Sequence, residues 1–166
     1  LVSTGARDRL VQEATTARDI RHPNVVAVYD ASESDGQPYV TMEYLEGQSL
    51  RSWVRERLQA KTGCDFGTVA AIIGAVLEGV EAAHSAGVIH RDLKPENVFL
   101  TATPAGDAVK LKILDFGIAR AMGSPTQVST NATGTVQYMA PEQLTAPDLA
   151  GPLADIYSVS VMFYEL

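Results

Sequence analysis

Apolar and polar residues alternate along this chain in two periods, and the switch between them outlines the fold. From Asp8 to Ile20, Leu10, Val11, Ala14, Ala17 and Ile20 recur at helical spacing, and Pro23 stops the run. Val25 to Tyr29 and Tyr39 to Tyr44 are rich in β-branched and aromatic residues. With the polar stretch Ser32 to Pro38 between them, they predict a β-hairpin with a long loop. Glu46-Gly47 breaks the second strand, and Ser49 caps a short helix carrying Leu50, Trp53, Val54 and Leu58. Phe66 to Ser85 gives the clearest helix, with Val69, Ile72, Ile73, Val76, Leu77, Val80 and His84 on one stripe and Gly87 at its end. Two short strands follow, Val98 to Thr101 and Val109 to Leu114, around the turn "TPAGD". Residues 118 to 139 show no periodicity and read as a long loop. The closing run "DIYSVSVMFYEL" reads as a helix that needs a core to bury it. Early strands and later helices make an α+β pattern.

Charge and composition narrow the function. A net charge of −7 disfavours a nucleic-acid partner, since a phosphate backbone is met with Lys and Arg. Cys64 is the single cysteine, so no internal disulfide or thiolate cluster can form. A reducing, cytoplasmic setting is the expectation. The apolar stretch Val69 to Leu77 is interrupted by Gly74 and closed by Glu78, too short for a membrane span. "LVSTGARDR" lacks the apolar core of a signal peptide. Beginning on Leu1 and ending in an uncapped apolar run, the chain reads as a piece of a longer protein.

One stretch carries unusual chemistry. "HRDLKPENVFL", residues 90 to 100, sets a polar loop directly against an apolar strand. Asp92 can accept a proton from a hydroxyl, Lys94 can neutralise a phosphoryl group, and Asn97 can offer an oxygen to a divalent cation. Mg²⁺ takes hard oxygen ligands and keeps few of them from protein, so a second ligand is expected. Asp115, at the end of the strand in "LKILDFGIAR", is the candidate.

Together with "APE" (Ala140, Pro141, Glu142), "HRDLKPEN" and "DFG" resemble the eukaryotic-type (Hanks-type) serine/threonine protein kinases, in order and spacing along the whole chain. The style of "YMAPEQ" and "ENVFL" is similar to bacterial members. The resemblance implies a bilobal α+β fold, cut at both ends. Residues 1–42 would be the rest of the N-terminal lobe, 43–47 a hinge and 48–166 part of the C-terminal lobe.

It also implies roles. Asp92 would be the catalytic base, Lys94 would steady the transferring phosphoryl group, and Asn97 and Asp115 would hold Mg²⁺ against ATP. Glu13 would pair with an ATP-positioning lysine. Met42, Glu43 and Leu45, in "YVTMEYLEGQSL", would meet adenine. Thr135, in "GTVQYMAPE", would contact Asp92 and the incoming hydroxyl. Arg91 would pair with a phosphate on Ser129 or Thr130. His90, Phe116, Gly117, Glu142 and Asp155 would brace the site, with Asp155 anchoring the catalytic-loop backbone; its plainer reading is a helix cap. Protein substrates bearing Ser or Thr follow, and a dimer phosphorylating itself in trans is allowed.

The chain's lysines are Lys61, Lys94, Lys110 and Lys112, so the ATP-positioning lysine and the Gly-rich loop expected before Glu13 are not in it. By itself the chain should bind ATP poorly, transfer little phosphate and be unstable. The rival reading is a pseudokinase, a binding module without the chemistry; intact Asp92, Asn97 and Asp115 argue against it. "GTVQYMAPE", which resembles a platform for peptide substrates, argues against a small-molecule kinase.

Overall fold

The computed structural model describes residues 18–34, 37–101, 110–116, 136–146 and 149–166. The expectations placed on Glu13, Gly117, Ser129, Thr130 and Thr135, and most of the Asp8 to Ile20 helix, lie outside the described residues.

The centre of the structure is a 20-residue helix, Phe66–Ser85. Asp65 opens it, accepting a hydrogen bond from the Thr68 backbone at 2.9 Å. Its buried stripe is Val69, Ile72, Val76, Gly79, Val80 and Ala83; of the other residues the apolar spacing marks out, Ile73 and His84 are half-buried and Leu77 is exposed. By length and a mean hydropathy of 1.6 this helix could pass for a membrane span. Its stripe lies instead in the main core with Leu93, Val98, Leu111, Ile113 and Met162.

A three-stranded antiparallel sheet packs on that helix. In chain order the strands are β1 (Val28–Ser34), β2 (Gln37–Met42), β3 (Gly47–Ser49), β4 (Val98–Thr101) and β5 (Leu111–Ile113). The sheet has the order β3-β4-β5, and β1 and β2 form a separate hairpin. The helices are α1 (Leu50–Ala60), α2 (Phe66–Ser85), α3 (Pro141–Thr145) and α4 (Pro152–Glu165). Where α2 meets the sheet, Gly79 allows close approach: a Cβ there would lie 2.8 Å from Ile113 Cδ1 and 3.0 Å from the Asn24 carbonyl oxygen.

Three boundaries differ from the pattern's expectation. Val25 does not begin the hairpin; it bridges in parallel to Ile113. The Ile113 amide donates to the Asn24 carbonyl at 2.8 Å and the Val26 amide to the Ile113 carbonyl at 3.0 Å. Val25 and Val26, both buried, are drawn to the core, and β1 starts at Val28. The polar stretch Ser32 to Pro38 is largely paired strand rather than loop, in register Ser32 to Tyr39 and Ser34 to Gln37. An antiparallel ladder is held by its backbone and tolerates polar side chains on a face open to water. Gly47 ends no strand but begins β3 opposite Thr101. Its φ of +147° and the 2.0 Å between a built Cβ and the Leu100 carbonyl oxygen leave room only for glycine.

The closing helix is partnered on one side. Ala154, Asp155, Ser158, Val159 and Met162 are buried in α4, which packs against α2. Leu153, Ile156, Tyr157, Phe163 and Tyr164 face outward.

Candidate active site

The loop between α2 and β4 is fixed by a buried acid. Asp155, in the first turn of α4, is 1% exposed. Its Oδ2 accepts the His90 amide at 2.9 Å and its Oδ1 the Arg91 amide at 2.8 Å. His84, from α2, reaches the same Oδ2 through Nε2 at 2.8 Å. Three donors offset the cost of burying a carboxylate. Asp155 caps no helix, because Gly151 is the residue that opens α4. The acid is spent on holding Arg91 in a left-handed backbone conformation, φ 63°, which a residue with a Cβ adopts only when its surroundings impose it.

That bend presents Asp92. The ammonium of Lys94 lies 2.7 Å from Asp92 Oδ2, and the Asn97 amide donates to the Asp92 carbonyl at 2.8 Å and to Oδ2 at 3.3 Å. Pro95 starts a 3₁₀ turn, Pro95–Asn97, that brings Asn97 back over Asp92. Leu93, 1% exposed, anchors the loop in the core between these polar groups. The carboxylate of Asp92 is about one-third exposed, so it can meet a substrate hydroxyl.

The strand bearing Asp115 is tied to the same loop. The Leu114 amide donates to the Asn97 carbonyl at 2.8 Å, which sets Asp115 one residue away. Asp115 is also left-handed, with φ 57°. His90, 2% exposed, donates from Nε2 to the Leu114 carbonyl at 2.8 Å and accepts the Asp92 amide on Nδ1 at 3.3 Å. Its ring packs on Phe116 with centroids 4.8 Å apart. Burial pushes the His90 pKa down, against the carboxylates of Asp155, Asp92 and Asp115 and the bond to Leu114. With both ring nitrogens engaged, His90 is a brace and is not placed to ligate a metal.

Among the described residues no group of three or more His, Cys, Asp or Glu side chains is arranged for a metal ion. Asn97 and Asp115 offer an amide and a carboxylate oxygen, a donor set that suits Mg²⁺ completed by phosphate oxygens and water.

The expected adenine segment leaves β2. Met42 closes β2 opposite Val28 and is 37% exposed. The Glu43 amide donates to the Ala27 carbonyl at 2.9 Å, while its Oε2 accepts the Ala27 amide at 3.2 Å and meets Lys112 Nζ at 2.7 Å. Burial opposes ionisation of Glu43, but the Lys112 bond and charge and the Ala27 amide outweigh it and lower its pKa. Leu45 is half-buried in the link to β3. Glu142 is half-buried in the first turn of α3. Among the described residues the buried Nε of Arg91 has no hydrogen-bond partner, an unspent donor within this loop.

The motifs do not reveal three further contributors. Gln143, next to the "APE" triplet, donates from Nε2 to the Arg91 carbonyl at 2.7 Å. His84 secures Asp155, although its helical spacing marks it only as part of a buried stripe. Arg51, on α1, ties together four elements: its Nε meets Glu96 of the 3₁₀ turn at 2.9 Å, and its Nη1 meets Glu165 of α4 at 2.5 Å. It also donates to the Tyr138 hydroxyl, which in turn donates to Glu165. Burial and the Glu165 bond push the Tyr138 pKa up to about 12, so the phenol stays a donor. A single Arg on an amphipathic helix carries no sequence signal for such a role.

The family described as Protein kinase domain matches residues 2–166. Serine/threonine-protein kinase Pkn1 of Myxococcus xanthus is 38% identical over 161 residues, which is 95% of this chain and 22% of that protein. Serine/threonine-protein kinase PknB of Mycobacterium leprae is 35% identical over 166 residues, 95% of this chain and 25% of that protein. The chain therefore spans about a quarter or less of the length of these curated relatives. A braced acid with a lysine and an asparagine folded over it, tied to a second acid, is shared ground between geometry and sequence match, and this chain belongs to the protein kinase domain family.

Proposed function

We propose that this chain carries the catalytic site of a serine/threonine protein kinase, which moves the γ-phosphoryl group of ATP to Ser or Thr hydroxyls of proteins. The single observation behind this is the Asp92–Lys94–Asn97 cluster, in which Lys94 lies 2.7 Å from the Asp92 carboxylate and Asn97 holds the Asp92 carbonyl at 2.8 Å. The Asp92 carboxylate, about one-third exposed, would orient an incoming hydroxyl and take its proton. Lys94, at its Oδ2, sets positive charge where a transferring phosphoryl group would gather negative charge. Asn97 and Asp115 would hold Mg²⁺, which neutralises the ATP phosphates when bound. Met42, Glu43 and Leu45, at and just after the end of β2, would meet the adenine.

The Nε of Arg91, without a hydrogen-bond partner among the described residues, suits an anion, and a phosphate on Ser129 or Thr130 would supply it. A cytoplasmic setting, where ATP and phosphorylatable proteins meet, fits this reading.

The test is Asp92→Asn in the whole protein. Phosphate transfer to a Ser/Thr peptide acceptor should fall by at least about a hundredfold, with nucleotide affinity retained. Transfer at the unsubstituted rate would overturn the assignment.

A further inference from the structure

The backbone N–H and C=O groups of Arg91 and Asp92 are each held by a different side chain. The Arg91 amide goes to Asp155 at 2.8 Å, the Asp92 amide to His90 Nδ1 at 3.3 Å, and the Asp92 carbonyl accepts from Asn97 at 2.8 Å. The remaining group, the Arg91 carbonyl, accepts from Gln143 Nε2 at 2.7 Å. The other end of that same amide is also committed: Gln143 Oε1 accepts the Ala140 amide at 2.9 Å. These partners fix the orientation of the amide, since a backbone N–H can only donate and a carbonyl can only accept. Arg91 and Gln143 are 52 residues apart, and Gln143 sits on α3, just past the segment that holds the candidate phosphate acceptors.

We infer that Gln143 is a positioning residue for Asp92, clamping the Arg91–Asp92 peptide and coupling the 136–146 segment to the catalytic loop. The bend at Arg91 is strained, with φ 63°, so the peptide that follows it relaxes by rotation unless both of its ends are held. His90 Nδ1 holds the Asp92 amide end of that peptide at 3.3 Å and Gln143 holds its Arg91 carbonyl end at 2.7 Å, while Asp155 fixes the Arg91 amide before the bend. Rotation of that peptide swings the Asp92 carboxylate relative to Lys94. A displacement of about 1 Å at a reacting group costs up to roughly a hundredfold in rate.

The inference rests on the proposed kinase activity, and two opposite substitutions in the full-length protein separate it from a mere helix cap. Gln143→Glu keeps the acceptor for Ala140 but removes the donor to Arg91. Gln143→Lys keeps a donor for the Arg91 carbonyl but removes the acceptor. Clamping predicts that Gln143→Glu lowers kcat by about tenfold with KM for ATP unchanged, while Gln143→Lys stays within about threefold of the unsubstituted protein. The Asp92 amide should exchange its hydrogen faster in Gln143→Glu than in Gln143→Lys. The reverse order of the two variants, in rate and in exchange, would assign Gln143 to capping and overturn the inference. If the unsubstituted protein transfers no phosphate, the activity assignment fails and the Asp92 amide exchange alone decides the clamp.

Discussion

His90 shows how much one buried side chain does for the catalytic loop and what it costs in acid. Its Nε2–H is spent on Leu114 and its Nδ1 lone pair on the Asp92 amide, so only the neutral ring satisfies both partners. Burial lowers its pKa from the ordinary 6.5 in the folded chain, while the unfolded chain keeps that ordinary value. Below about pH 6.5 the unfolded state takes up a proton that the folded state refuses, so stability is full above that pH and is lost as pH falls. The slope from this one group is at most about 1.4 kcal/mol per pH unit. Denaturant midpoints of the full-length protein's kinase domain, measured from pH 8 to 5, should fall below pH 6.5. In His90→Gln they should start lower and fall less steeply, and an equal slope in both proteins would contradict the assignment. Asp92, Asn97 and Asp115 were legible as candidates because their chemistry is packed into two contiguous runs. Gln143 and His84 were not, since each is one polar residue whose partner lies far away in the chain, 52 residues for Gln143 and 71 for His84.

Among the elements, Arg51 joins α1, the 3₁₀ turn, α4 and the Val136–Tyr138 turn. Ser158 adds a second tie between α4 and that turn, donating to the Tyr138 carbonyl at 2.7 Å. Removing the guanidinium leaves the buried Tyr138 ring in place but strands Glu165 beside it without a cation. Arg51→Met keeps most of the apolar stem, so its effect isolates the polar links. The loss should be about 1–2 kcal/mol, small because Glu96 and Glu165 are both partly open to water. It should also lower the melting temperature of the full-length protein's kinase domain, and an unchanged melt would show that the network holds nothing together. Periodicity located α2 to the residue because its apolar stripe is long and Gly87 follows its end. It missed β3, whose Gly-Gln-Ser sequence has neither β-branched residues nor alternation and is a strand only because β4 pairs with it. It also misplaced the start of β1, where the pull of Ile113 on Val25 overrides local propensity.

For the whole molecule, the deciding feature is the outward face of α4. The apolar run at the end of the sequence implied a helix in need of burial, and α2 covers one side of it. The other side leaves Leu153 76% and Tyr164 93% exposed, beside Tyr157 and Phe163. A face of that kind, expressed as the 166-residue chain by itself, offers apolar surface to a second copy. The net charge of −7 works against such contact by repulsion between copies. Association of the isolated chain should therefore grow with concentration and strengthen when salt screens the charge, the opposite of what ion pairing between copies would do. Sedimentation velocity at low and high salt measures both trends. The double substitution Leu153→Glu with Tyr164→Glu adds charge to positions already in water and should return the chain to monomer without touching the buried Asp155 or Met162. A chain that stays monomeric at every concentration and salt, or that associates equally well with the double substitution, would show that this face is not what limits the isolated chain.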